Sequence, residues 1–182
     1  MIAIIDYGVG NLFSLVGSLR HMSIECEVTR DAGAIRSAGK IILPGVGAFG
    51  DAVGKFRACG LEPVLAREVA AGKPLLGICV GMQLLFERSF EFGEHRGLSF
   101  LKGEVRPLAD DIPKSLKVPQ IGWNSLVFER RGDPLLKYSK EGDYVYYVHS
   151  YYAKGCGDSL VAWSDYGARV PGAVRAGNVF GT

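Results

Sequence analysis

Lys73-Pro-Leu-Leu-Gly-Ile-Cys-Val-Gly-Met-Gln-Leu-Leu-Phe-Glu-Arg88 changes character halfway along its length. After Pro74 it is a short apolar run with the pattern of a buried strand. From Cys79 onward the residues are helix formers, and nothing between the two parts could serve as a loop. A strand that becomes a helix within one or two residues forces the residue at the bend into a strained backbone conformation, and its neighbours two positions away must be small. Gly77 and Gly81 meet that requirement. The result, Gly-x-Cys-x-Gly, is the cysteine counterpart of the nucleophile elbow. The bend predicts that the Cys79 sulfur projects into an open crevice at a helix N-terminus, where free N–H groups and the helix dipole favour the thiolate. A cysteine at a strand end is otherwise a small inert hydrophobe, and it is the paired glycines that single this one out.

Upstream of that stretch the chain alternates strand and helix. Met1 to Asp6 is an apolar run that ends at Tyr7-Gly-Val-Gly10, and Leu12, Leu15, Val16 and Leu19 then recur at helical spacing through Met22. Gly8-x-Gly10 lacks the third glycine of a dinucleotide fingerprint, because Phe13 stands in its place, which argues against a nicotinamide or flavin site. Ile24 to Arg30 alternates in period two, as expected of a strand near a sheet edge. Lys40 to Leu43 reads as a buried strand running straight into Pro44-Gly-Val-Gly-Ala-Phe-Gly50, where glycines let backbone N–H groups approach a ligand. Asp51 to Ala71 reads as one or two helices broken near Cys59 to Pro63.

Downstream of Arg88 the pattern becomes β-rich. Gly103–Pro107, Val118–Val127, Tyr144–Tyr152, Leu160–Ser164 and Val170–Thr182 read as strands, with a short helical hint at Pro134–Tyr138. The expected fold is α/β: an open, mostly parallel sheet flanked by helices, extended by antiparallel strands in the second half, with ligands beyond the strands' carboxyl ends.

Composition narrows the function. At 182 residues and 48% hydrophobic, the chain supports one domain. Its 21 basic and 19 acidic residues are evenly spread, giving a net charge of +2 and no basic patch for nucleic acid or an anionic membrane. No cationic leader precedes the first strand, so a cytoplasmic location is expected. Cys26, Cys59, Cys79 and Cys156 are scattered, which argues against both a structural metal site and a disulfide framework.

Five segments then stand in a telling order: Asp6-Tyr-Gly-x-Gly-Asn11, Leu43-Pro-Gly-Val-Gly-Ala-Phe49, Gly77-Ile-Cys-Val-Gly-Met-Gln-Leu84, Gly122-Trp-Asn124 and Val148-His-Ser-Tyr-Tyr152. Together they resemble class I (triad-type) glutamine amidotransferases, and among these the glutaminase subunits of imidazole glycerol phosphate synthase. The resemblance implies hydrolysis of glutamine to glutamate, with the ammonia passed to a (β/α)8-barrel cyclase partner in a heterodimer serving histidine biosynthesis. No metal or organic cofactor is implied. Cys79 would be the nucleophile, forming a γ-glutamyl thioester. The Val80 N–H and one from the Gly45-Val46-Gly47 segment would stabilise the oxyanion, after a peptide rotation that the flanking glycines make easy. By the same resemblance Gly47, Gln83, His149, Ser150 and Tyr151 hold the amino-acid end of glutamine, and Asn11, Gln120 and Trp123 face the partner.

Two departures accompany the matches. The family's base and its orienting acid lie in a His-Pro-Glu element following a Gly-x-Gln-Phe sequence, whereas the sequence here runs to Phe180-Gly-Thr182. His21, His95 and His149 do not occupy that position, so the triad His and Glu are expected beyond Thr182, the domain lacking its C-terminal segment. Gln120 also stands where the family more often has histidine. Two alternatives therefore stay open: a paralogous glutaminase feeding a sugar-aminating synthase, and a non-catalytic regulatory subunit of the same fold.

Overall fold

A computed structural model describes all residues, 1–182. Strands β1 (Ile2–Ile5), β2 (Cys26–Thr29), β3 (Lys40–Gly45) and β4 (Leu75–Cys79) alternate with helices α1 (Leu12–His21), α2 (Ala32–Ser37), α3 (Phe49–Ala58) and α4 (Glu62–Ala70). All four strands run parallel, in the order β2-β1-β3-β4. The inner strands are apolar without alternation because both faces are covered: Ala3, Ile5 and Leu43 face α3 and α4, while Ile4 and Ile42 meet Leu19 of α1. β2 is the edge strand, as expected. Its alternation is weaker than the sequence pattern, since Ile24 and Val28 are over a third exposed while Thr29 is buried. Helix α2 fills what reads in the sequence as a loop. It is only six residues long, too short for a periodic signal, and Asp31 caps it by accepting from Ala34 N at 2.7 Å.

The second half builds more than an extension of that sheet. Val170–Thr182 is a hairpin: β13 (Arg169–Ala176) turns at Gly177, with φ +56°, into β14 (Val179–Gly181). β14 inserts beside β4 and runs parallel to it, and Asn178 fixes the junction by donating to the Val69 and Lys73 carbonyls at 2.9 and 2.8 Å. β12 (Leu160–Asp165) and β9 (Val127–Phe128) then complete an eight-stranded sheet in antiparallel fashion.

The remaining strands leave it. β8 (Gln120–Ser125) pairs with β10 (Tyr144–His149) as a separate two-stranded ribbon. β5 (Arg88–Ser89), β6 (His95–Arg96), β7 (Glu104–Pro107) and β11 (Tyr151–Lys154) form a third sheet. The single strand expected over Tyr144–Tyr152 is therefore two, broken at Ser150 and belonging to different sheets. No helix is long and apolar enough to cross a membrane.

Candidate active site

Cys79 ends β4 and caps the five-residue helix α5 (Val80–Leu84) at φ +57°, ψ −118°, a region that L-residues rarely enter. The crowding that Gly77 and Gly81 relieve comes from backbone on either side of the bend. A Cβ on Gly77 would sit 2.6 Å from the Gly81 carbonyl oxygen, and one on Gly81 would run into the Leu43 carbonyl of β3. A third glycine is needed as well. Gly45 lies opposite Cys79 in the parallel register, and a Cβ there would come within 2.5 Å of the Gly81 N. Sequence reasoning assigned Gly45 only to the ligand loop, because its close approach is to a distant segment.

The thiolate expectation needs correction. Cys79 is exposed on its crevice side, yet desolvation pushes its thiol pKa up, and the Val80 N–H hydrogen bond opposes this only in part. α5 is a single short turn that offers the sulfur only the Val80 N–H. A lone N–H does not outweigh burial.

The loop after β3 is held at both ends and free between them. Tyr7 Oη donates to the Pro44 carbonyl at 2.6 Å, and burial keeps Tyr7 a neutral phenol. Phe49 N, the first residue of α3, donates to Glu91 Oε2 at 2.6 Å, replacing a side-chain cap that Ala48 cannot supply. Between these clamps Val46 is about half exposed, and Gly47 adopts φ +83° with nothing within 4 Å of a would-be Cβ. Tyr7 lies within the Asp6–Asn11 motif but has no assigned role in sequence, and Glu91 sits in a polar stretch with no pattern. Only the fold brings either to this loop.

Cys79, Gln83, His149, Tyr151 and Thr182 line one cavity of about 430 Å³ that continues over apolar Leu126, Leu136, Val145 and Ala173. Gln83 is one turn beyond the nucleophile, and its Nε2 donates to the Tyr151 carbonyl at 3.1 Å. That bond turns Oε1 the other way, as an acceptor. Val46, Gly47, Val80 and Ser150 do not line this cavity: Val80 is buried, and the Gly47 loop follows Gly45, which pairs opposite Cys79. Thr182 is held to the elbow, with Cys79 N donating to its carbonyl at 2.7 Å and its own N donating to Gly77 O at 3.0 Å.

The three residues expected to face a partner behave differently. Trp123 is two-thirds exposed, on the outer face of the β8–β10 ribbon with Ile121, Tyr144, Tyr146 and Val148. Asn11 is exposed, but its side chain is committed to capping α1, accepting from Ser14 N at 3.2 Å. Gln120 is fully buried and offers no outward surface, because the two-residue strand period that exposes Ile121 and Trp123 turns Gln120 and Asn124 inward. No cluster of side chains suited to holding a metal ion is present.

The family model for class I glutamine amidotransferases matches residues 3–182. The imidazole glycerol phosphate synthase subunit HisH of Bacillus cereus is 50% identical over 182 residues, covering the whole chain and 84% of that protein. The subunit of the same name from Caldanaerobacter subterraneus subsp. tengcongensis is 46% identical over 181 residues, covering 99% of this chain and 87% of that one. A crystal structure of a glutamine amidotransferase superposes with a TM-score of 0.76 at 18% identity, over the whole chain and 88% of that structure. The PurLQS structure from Thermotoga maritima follows at 0.72 and 20% identity, over 98% of this chain and 84% of that one. Together with the cysteine elbow, this agreement over the whole chain makes it a member of the class I glutamine amidotransferase family.

Proposed function

We propose that the chain is the glutaminase subunit of an imidazole glycerol phosphate synthase, making ammonia from glutamine for a cyclase subunit in histidine biosynthesis. The observation that carries this reading is the strained Cys79 elbow opening onto a crevice in which Gln83 is already oriented. The HisH relatives at 46 and 50% identity supply the choice of pathway. The Cys79 sulfur attacks the side-chain amide carbon of glutamine. The C–N bond then breaks, ammonia leaves with the thiol's proton, and water hydrolyses the thioester to glutamate and free thiol. The Val80 N–H and an N–H of the Val46–Gly47 segment receive the developing oxyanion. Gly47, Gln83 and the backbone from His149 through Tyr151 hold the amino-acid end, with Gln83 Oε1 as an acceptor for the ammonium.

None of the three histidines is placed to act as base. The ring of His149 is held by Tyr151 and Gln120, and His95 packs against Gly50 and Phe49. The proposed chemistry needs a general base and its carboxylate beside Cys79 that these residues do not supply, and β14 ends next to the nucleophile. Trp123 and Asn11 face the synthase. The test is glutamine hydrolysis by the full-length chain with and without its cyclase. Turnover that rises at least about tenfold with the cyclase and disappears in Cys79→Ala supports the reading, whereas a complex inert toward glutamine sinks it.

A further inference from the structure

Among the groups lining the cavity, His149 carries a set of contacts that the proposed chemistry does not use. β8 and β10 pair with Gln120 directly opposite His149. The buried Gln120 carboxamide lies 2.8 Å from His149 Nε2 and 2.9 Å from the Asn124 amide. Across the neutral ring, Nδ1–H donates to the Tyr151 carbonyl at 2.9 Å, the same oxygen that accepts from Gln83, and Nε2 is then an acceptor that the Gln120 amide meets with its NH2 while its oxygen accepts from Asn124. A chain of hydrogen bonds thus runs from Asn124 of β8, through two amides and an imidazole, to the side chain one turn beyond the nucleophile.

The Tyr151 carbonyl depends on this chain. It stands opposite Pro107 in a non-hydrogen-bonded pair, because the Leu108 N–H bonds the Ser150 carbonyl one rung away, so it points away from β7, and the strand has just changed sheets at Ser150. Side chains therefore aim this carbonyl, and the carbonyl aims Gln83. The chemistry of position 120 fits the task. A carboxamide carries a donor and an acceptor on one planar group, so it can meet the imidazole nitrogen and stay paired with Asn124, itself an amide. Every buried side-chain polar atom in the molecule has a partner, so removing the Gln120 amide would strand Nε2 and loosen the ring.

We infer that Gln120 is a positioning residue for glutamine binding: through His149 and the Tyr151 carbonyl it fixes the Gln83 amide, and so sets the affinity for the substrate's amino-acid end. The inference rests on the glutaminase reading above and deepens it. It also makes the inner face of β8 part of the substrate site while its outer face presents Trp123.

The experiment uses the full-length chain with its cyclase. Gln120→Met keeps length and burial while removing both polar ends, and it is expected to raise the glutamine KM about tenfold with kcat within about twofold of wild type. Gln120→His, which again offers a donor and an acceptor, is expected to restore KM to within about threefold. A Gln120→Met that keeps the wild-type KM, that loses kcat and thermal stability alone, or that is not rescued by Gln120→His overturns the inference. Should Gln120→Met fail to fold, the wild-type protein labelled with ¹⁵N at its histidine rings decides the matter. Saturating glutamate is expected to shift the His149 ring resonances, and unshifted resonances overturn the inference. A wild-type complex inert toward glutamine would remove the reading beneath it, whereas an active complex with an unchanged Gln120→Met removes this inference alone.

Discussion

The two glycine segments that meet at Cys79 are built in opposite ways. On the elbow side, Gly77, Gly81 and Gly45 lie in backbone contact with one another and with β3, so no methyl group fits at any of them. On the loop side, Gly47 has open space around it and Val46 faces solvent, although Tyr7 and Glu91 clamp the segment at either end. Cys79 is fixed at the cost of strain, whereas the peptides around Gly47 have room to turn between two fixed points. On the reading proposed above, in which this segment supplies an oxyanion donor, a donor with room to turn can be made to wait for a partner, whereas a fixed one would be complementary to the oxyanion at all times.

The sharpest way to break this contrast is to add one carbon on each side. Gly81→Ala drives its Cβ into the Leu43 carbonyl and should cost more than about 4 kcal/mol, seen as loss of soluble folded protein or collapse of the melting transition. A Gly81→Ala protein melting near wild type would show that the elbow is not packed as described. Gly47→Ala meets no neighbour, and its cost of about 1 kcal/mol comes only from φ +83°. Its effect should appear in turnover instead: kcat in the complex down by about 10²-fold, with the melting temperature nearly unchanged. Equal losses of stability at the two positions would erase the contrast.

Smaller effects sharpen it. Cys79 holds φ +57° without being glycine, so Cys79→Gly should be more stable than Cys79→Ala by about 1 kcal/mol, the reverse of the order in an ordinary strand or helix, with both inert toward glutamine. Chemical denaturation of the two variants measures this directly. The smallest expected effect belongs to His149, whose ring burial holds its pKa below the ordinary range. The unfolded chain takes up a proton there that the folded chain resists. This contribution to stability is present above about pH 6.5 and lost as pH falls through the lowered folded value. Melting temperature should therefore decline less steeply from pH 7 to 5 in His149→Gln than in wild type, and parallel curves would place the acid sensitivity elsewhere.

What the sequence alone determined is whatever is local or periodic. The parallel β-α order, the break between α3 and α4, the elbow at Cys79 with its strained residue, and the reach of Gln83 one turn on all follow from spacing along a single segment, because helix and strand periods and glycine conformations are properties of neighbouring residues. Tertiary structure decided what depends on a partner far along the chain. Ala32 to Ser37 became a helix once packed on the sheet, and Val170 to Thr182 became a hairpin that threads β14 beside the nucleophile strand. Gln120 turned inward while Trp123 stayed out, a choice set by which face of the β8–β10 ribbon meets the core. The acidity of Cys79 was decided there too: helix position argues for a thiolate, but desolvation depends on everything packed around the sulfur, and a five-residue helix with one N–H to offer does not offset it.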